Sequence, residues 1–226
     1  STSTKPSEST STKPSTSTST VIPDGTTSIA DVIKAGFDGT AGSTEYTFEG
    51  TVVGLFGNSY YLQQGDAGIY VFNKAATGLA LGKKVRVVST ITNYSGLIET
   101  KTVKSATVTG DGDAITAVTY TSSTFKKENQ CTLANIMGLK YDSGAITDLT
   151  KSSLIKYKDG SSDVTLRVDK NMDNAVKTAI KEKLDSVGEN DTVDLVNTVL
   201  YMYTKGDTST INVGLTSADQ IVINKA

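Results

Sequence analysis

The sequence predicts a mostly β protein of two small Greek-key barrels in tandem, the second with one amphipathic helix, behind a disordered N-terminal tail. Three observations carry this. Short runs alternating apolar and polar residues are separated by Gly, Asn and Asp turn signals, and they fall into two series. One stretch, in the second series, has sustained helical period. The first twenty residues, STSTKPSESTSTKPSTSTST, hold no apolar side chain apart from two prolines. Nothing there offsets the entropy of ordering the chain.

The elements are read in chain order. Residues 1–23 form the Ser/Thr/Lys/Pro-rich tether. Thr27 or Ser28 caps a short helix from Ile29 to Ala35, stopped by Gly36. Tyr46 to Phe56 is a long first strand, interrupted by Gly50 and Gly54 where a tight barrel bends. Ser59 to Gln64 and Ile69 to Asn73 follow as strands, then a connection ending at Gly82. Lys83 to Thr92 and Leu97 to Val108 complete five strands. A domain boundary is placed near Thr109–Asp113, giving 24–113 and 114–226.

The second series comprises Gln130 to Tyr141, Ser153 to Lys158 and Asp163 to Val168. A helix from Asp173 to Val187 comes next. Its apolar stripe is Val176, Ile180, Leu184 and Val187, its wet face Lys177, Lys181 and Lys183, and Gly188 sits where a left-handed cap belongs. Thr192 to Tyr203, Thr210 to Leu215 and Gln220 to Asn224 close the series. Three strands, a helix and two strands is the order of the OB-fold, and the first series repeats it with a loop replacing the helix.

The run FEGTVVGLFGNSYYLQQGDAGIYVFN, followed by LGKKVRVVSTITNYSGLIE, resembles OB-fold modules of bacterial secreted and surface (lipo)proteins, of the kind that accompany extracellular nucleases. The likeness spans roughly residues 46–105, and the second series follows only the order of elements. It implies a non-catalytic module, often a nucleic-acid binder. The tether is similar to the spacer that follows a lipid-modified cysteine, so the expected location is extracellular, at a bacterial cell surface or secreted. Membrane attachment is then expected only through an upstream lipid anchor, with no transmembrane segment.

Composition restricts the chemistry. The chain has no histidine and one cysteine, Cys131, so neither an internal disulfide nor a Cys/His zinc site is available. Cys131 fits a buried strand position. Asp169 to Asn174 imitates the start of a calcium loop, but positions six and twelve are Asn174 and Ile180, and Asp173 reads better as a helix cap. No nucleophile elbow or phosphate loop occurs. No enzyme, cofactor or metal is expected.

Charge is balanced, with 22 basic against 24 acidic residues. Residues 24–113 hold seven basic and nine acidic side chains, and residues 114–226 thirteen and fourteen. Neither half has the basic excess common in proteins that grip phosphate backbones.

An OB-fold binds across its second and third strands and the loops joining strands one to two and four to five. Alternation places Tyr61, Gln63, Tyr70 and Phe72 on one outer patch, with Tyr94 in the later loop. Lys84 and Arg86 form the densest basic pair. These seven are the candidate ligand residues, for an unknown protein, glycan or single-stranded nucleic acid. The competing expectation is that the aromatic patch packs against the second barrel, which makes the protein a structural spacer in an envelope assembly.

Overall fold

The computed structural model describes residues 25–226. The tether lies outside the described residues. Helix α1 (Ile29–Phe37) is capped by Ser28, whose hydroxyl accepts from Asp31 N–H. It runs two residues past the expected stop because Gly36 is a buried helical residue, packed under Ile98. Strands β1 (Tyr46–Phe56), β2 (Ser59–Gln64), β3 (Ala67–Val71), β4 (Lys83–Tyr94) and β5 (Leu97–Asp111) close a barrel in the order β1-β2-β3-β5-β4. All pairs are antiparallel except β3–β5, where Tyr70 faces Glu99. The register slips between Val52 and Gly54, so a bulge sits at the expected bend. Ile29, Val32 and Ile33 of α1 join Phe48, Tyr60, Leu62, Ile69 and Val87 in one apolar core.

The second barrel repeats this plan. Strand β6 (Val118–Tyr120) runs parallel beside β7 (Leu133–Ser143), followed by β8 (Ser153–Asp159) and β9 (Ser162–Val168). Helix α2 (Asn174–Asp185) precedes β10 (Thr192–Lys205), β11 (Thr208–Gly214) and β12 (Ile221–Asn224). The strand order β7-β8-β9-β11-β10 is closed by β10 pairing with β7, and β9–β11 is again the parallel pair. Both barrels are therefore OB-like. Their cores are separate, the second built on Ile136, Ile155, Tyr157, Leu166, Ile180 and Leu195.

Three local expectations are corrected. β5 continues to Asp111, through the start of the presumed boundary, because it pairs along the whole of β4. Gly188 does not adopt a left-handed conformation; α2 ends at Asp185 with Ser186 as its cap, and Gly188 N–H donates to Asp191 instead. Lys177 does not face water. It is 2% exposed, and its ammonium donates to the carbonyls of Leu149 and Lys170, tying the β7–β8 loop to the segment before α2. Asp173 does cap α2, accepting from Ala175 N–H at 2.7 Å. Among the described residues, no helix is long and apolar enough to cross a membrane.

Candidate functional site

The expected ligand patch of the first barrel lies in a seam between the two barrels. Tyr61 and Tyr70 point outward as the alternation requires, yet they are only 4% and 8% exposed. They pack with Val53 and Leu97 of their own barrel and with Cys131, Val199 and Tyr201 of the second. The rings of Phe56, Tyr61 and Tyr70 form one group with centroids 5.0–6.2 Å apart, a spacing typical of attractive aromatic pairs. Burial raises the pKa of both tyrosines well above the usual phenol value.

Gln63 is engaged in the same way. Its side-chain carbonyl accepts from Leu133 N–H at 2.7 Å across the seam, and its amide donates to Gly65 O. Gln130 makes the reciprocal gesture, bonding both the N–H and the carbonyl of Ile98 in β5 with its side-chain amide. Glycines let the backbones approach. A Cβ on Gly68 would lie 2.2 Å from the carbonyl oxygen of Cys131, and one on Gly214 would lie 2.5 Å from the Tyr61 hydroxyl.

The loops of that barrel are also taken up. The β1–β2 turn at Gly57 abuts the carbonyl of Asn171, and the β4–β5 turn receives a hydrogen bond from Thr204 N–H on Ser95 O at 2.6 Å. Each part of the first barrel on which an OB ligand is expected to sit thus touches the second barrel.

The remaining candidates are dispersed. Phe72 is 50% exposed and continues the aromatic row outward from Tyr70, ring centroids 6.2 Å apart. Tyr94 is exposed at the end of β4. Lys84 and Arg86 lie on β4, which pairs with β1 and β5 rather than β2 and β3. Arg86 donates to the buried Glu49 at 3.1 Å, which also accepts from Thr109, and Lys84 pairs with Asp113 at 3.6 Å. The structure therefore does not bring the seven candidates together. Tyr61, Gln63 and Tyr70 follow the competing expectation of packing against the second barrel and not that of an open patch, and Lys84 and Arg86 form ion pairs on another side of the barrel.

Cys131 is buried in the seam as expected, but not within a strand. It holds a left-handed backbone (φ 58°) just before β7, and burial pushes its thiol pKa well up. Such a thiol is a poor nucleophile. Beside it, the Glu99 carboxyl has no hydrogen bond or ion pair among the described residues. Burial lifts its carboxyl pKa to about 7, opposed by Arg167 from the second barrel. Arg167 is held by Asp169 at 3.0 Å.

Strand β8 of the second barrel, the equivalent of β2, is different. On the outer side of β7 and β8, Lys140 stands directly across from Lys158, and Lys156 lies between Ser143 and Thr165. Lys158 pairs with Asp163, whereas Lys140 and Lys156 have no carboxylate within ion-pair reach among the described residues. Leu154 completes the row at 54% exposure. Like charges directly opposite each other on a sheet are unfavourable in isolation; Asp163 compensates Lys158, so Lys140 and Lys156 are the cations that suit a counter-charge from outside. Sequence reading missed this face because its lysines alternate singly with Ile155 and Tyr157, without forming a run. The alternation Leu154-Ile-Lys-Tyr-Lys158 was the available signal.

No family model matches the chain, and no curated protein does either. Among solved structures it is similar to a murine DNA-binding protein bound with double-stranded DNA (15% identity, 80% of this chain and 99% of that one, TM-score 0.35). It is also similar to an Ifi202 HINa domain in complex with a 20-base-pair duplex (14%, 81% and 97%, TM-score 0.32). Likenesses this faint carry no argument about the ligand of this chain.

Proposed function

We propose that the chain is a non-catalytic binding module in which the first barrel docks the second, and the second presents the ligand face to an anionic polymer of the nucleic-acid kind. One observation carries the reading: equivalent strands of two barrels with one topology, β2 and β8, are used differently. The first is apolar and closed. The second is open and, with its neighbour β7, bears Lys140, Lys156 and Lys158 around Leu154. Long cations beside an apolar side chain suit a ligand with phosphates and a stackable base. The family resemblance and the Ser/Thr-rich tether support a place at a bacterial cell surface.

Burial of Tyr61 and Tyr70 favours a second reading, a purely architectural one in which the paired barrels act as a spacer. Titration of labelled single-stranded DNA, with heparin as a polyanion control, separates the two. The expected result is saturable binding that weakens with salt, the slope falling by about 0.7 for each phosphate-contacting lysine removed in Lys140→Ala/Lys156→Ala. Absence of binding at low ionic strength, where electrostatic attraction is strongest, overturns the binding reading and leaves the architectural one.

A further inference from the structure

The second barrel holds a cavity of about 230 Å³ near α2, away from the seam and from the lysine face. It is open to solvent on the side of the half-exposed Tyr141, and its apolar wall is made by Ile146 and Ile155 from the barrel side and Leu184 and Val187 from α2 and the residues after it. Two tyrosines complete it. Tyr141 and Tyr157 meet edge to face with centroids 5.8 Å apart. The Tyr141 hydroxyl is satisfied, donating to Gly144 O at 2.8 Å. Tyr157 is 1% exposed and its ring lines the cavity, whereas the one fully buried hydroxyl without a partner among the described residues is that of Tyr60 in the first barrel. A phenol at a cavity wall can take a hydrogen-bond partner from whatever fills the space. At the cavity, Lys181 and Asp185 are paired with each other, so the site offers no free charge.

We propose that this cavity binds a small uncharged aromatic molecule carrying one hydrogen-bonding group, of phenol or indole size. The volume fits a ring with a substituent, since an apolar cavity of about 150 Å³ already holds benzene. The ring meets the tyrosine faces and the aliphatic wall, while its polar group bonds the Tyr157 hydroxyl. The neutral Lys181–Asp185 pair disfavours charged analogues, which must break it or bury an unmatched charge.

The test uses the whole chain, labelled with nitrogen-15, titrated with phenol, indole, toluene and benzoate. Phenol and indole are expected to shift amide resonances of residues 141–157 and 181–187, with dissociation constants of about 0.1–1 mM for ligands of this size. Toluene and benzoate bind more weakly. Tyr157→Phe, which removes one oxygen from an otherwise unchanged ring, weakens phenol about tenfold and leaves toluene unaffected. Val187→Phe fills the cavity from the helix side and abolishes both. Three results each overturn the proposal: shifts confined to other residues, phenol affinity unchanged in Tyr157→Phe, or no shift at about 10 mM, well above the expected constants.

Discussion

The two barrels share a strand order, one parallel strand pair and a helix packed into the core, but they use their outer surfaces differently. In the first, Tyr61 and Tyr70 on β2 and β3 lie beside Gly54 and Gly68, a combination of large rings and missing side chains that admits another backbone closely. In the second, the equivalent strand β8 carries Leu154, Lys156 and Lys158, which keep another protein surface away and leave the face open. Topology specifies where a binding face is found. The side chains on it decide whether the chain keeps it for itself.

The sharpest way to break this contrast is at Gly68. An alanine there sets its Cβ against the backbone of Cys131, which cannot move as a flexible side chain would. Gly68→Ala is expected to cost on the order of 3 kcal/mol. Chemical denaturation is expected to show two steps in place of one, and a single unshifted transition counts against a shared dock. Tyr61→Ala and Leu154→Ala then compare the two faces directly. The seam variant loses about 3 kcal/mol or more through the void it leaves, and the open-face variant stays within about 0.5 kcal/mol; equal midpoints erase the distinction.

Lys177→Met tests an asymmetry inside the second barrel. Removing the ammonium orphans the carbonyls of Leu149 and Lys170, at a cost of about 1–3 kcal/mol. Faster amide exchange is expected in residues 144–152, with the first barrel unchanged. The smallest effect belongs to Glu99. Its folded pKa of about 7 lies above the ordinary 4.5, so the folded state holds the proton more tightly. Stability therefore falls as pH rises from about 4.5 to 7 and levels off beyond. Glu99→Gln flattens this fall, and melting temperatures across that range check it.

Much of the fold was legible in the residues. The run SYYLQQ is β2 to the residue, and the stripe of Val176, Ile180 and Leu184 located α2. Period-two alternation is a local property, so it survives whatever surrounds it. Strand β6 was missed because three residues cannot display a period, and its pairing is with β7, some sixteen residues away. Lys177 was assigned to solvent because lysine ordinarily belongs there; two carbonyls brought from separate loops make its place in the interior. The aromatic row shows the same limit. Which way Tyr61 and Tyr70 point followed from alternation, but what covers them depended on a second barrel folded from residues far along the chain.

The seam has a consequence for how the protein can be divided. Severed after residue 113, the first barrel would present Val53, Tyr61, Tyr70 and Leu97 to water as one greasy surface, of the sort that drives self-association. It would also lose the Leu133 and Gln130 backbone and amide partners that its Gln63 and Ile98 now use. The halves look like interchangeable cassettes on paper, yet the first is not a portable part. Any fusion, truncation or shuffling that treats the first barrel as a self-sufficient unit should yield inclusion bodies where the intact pair yields soluble protein.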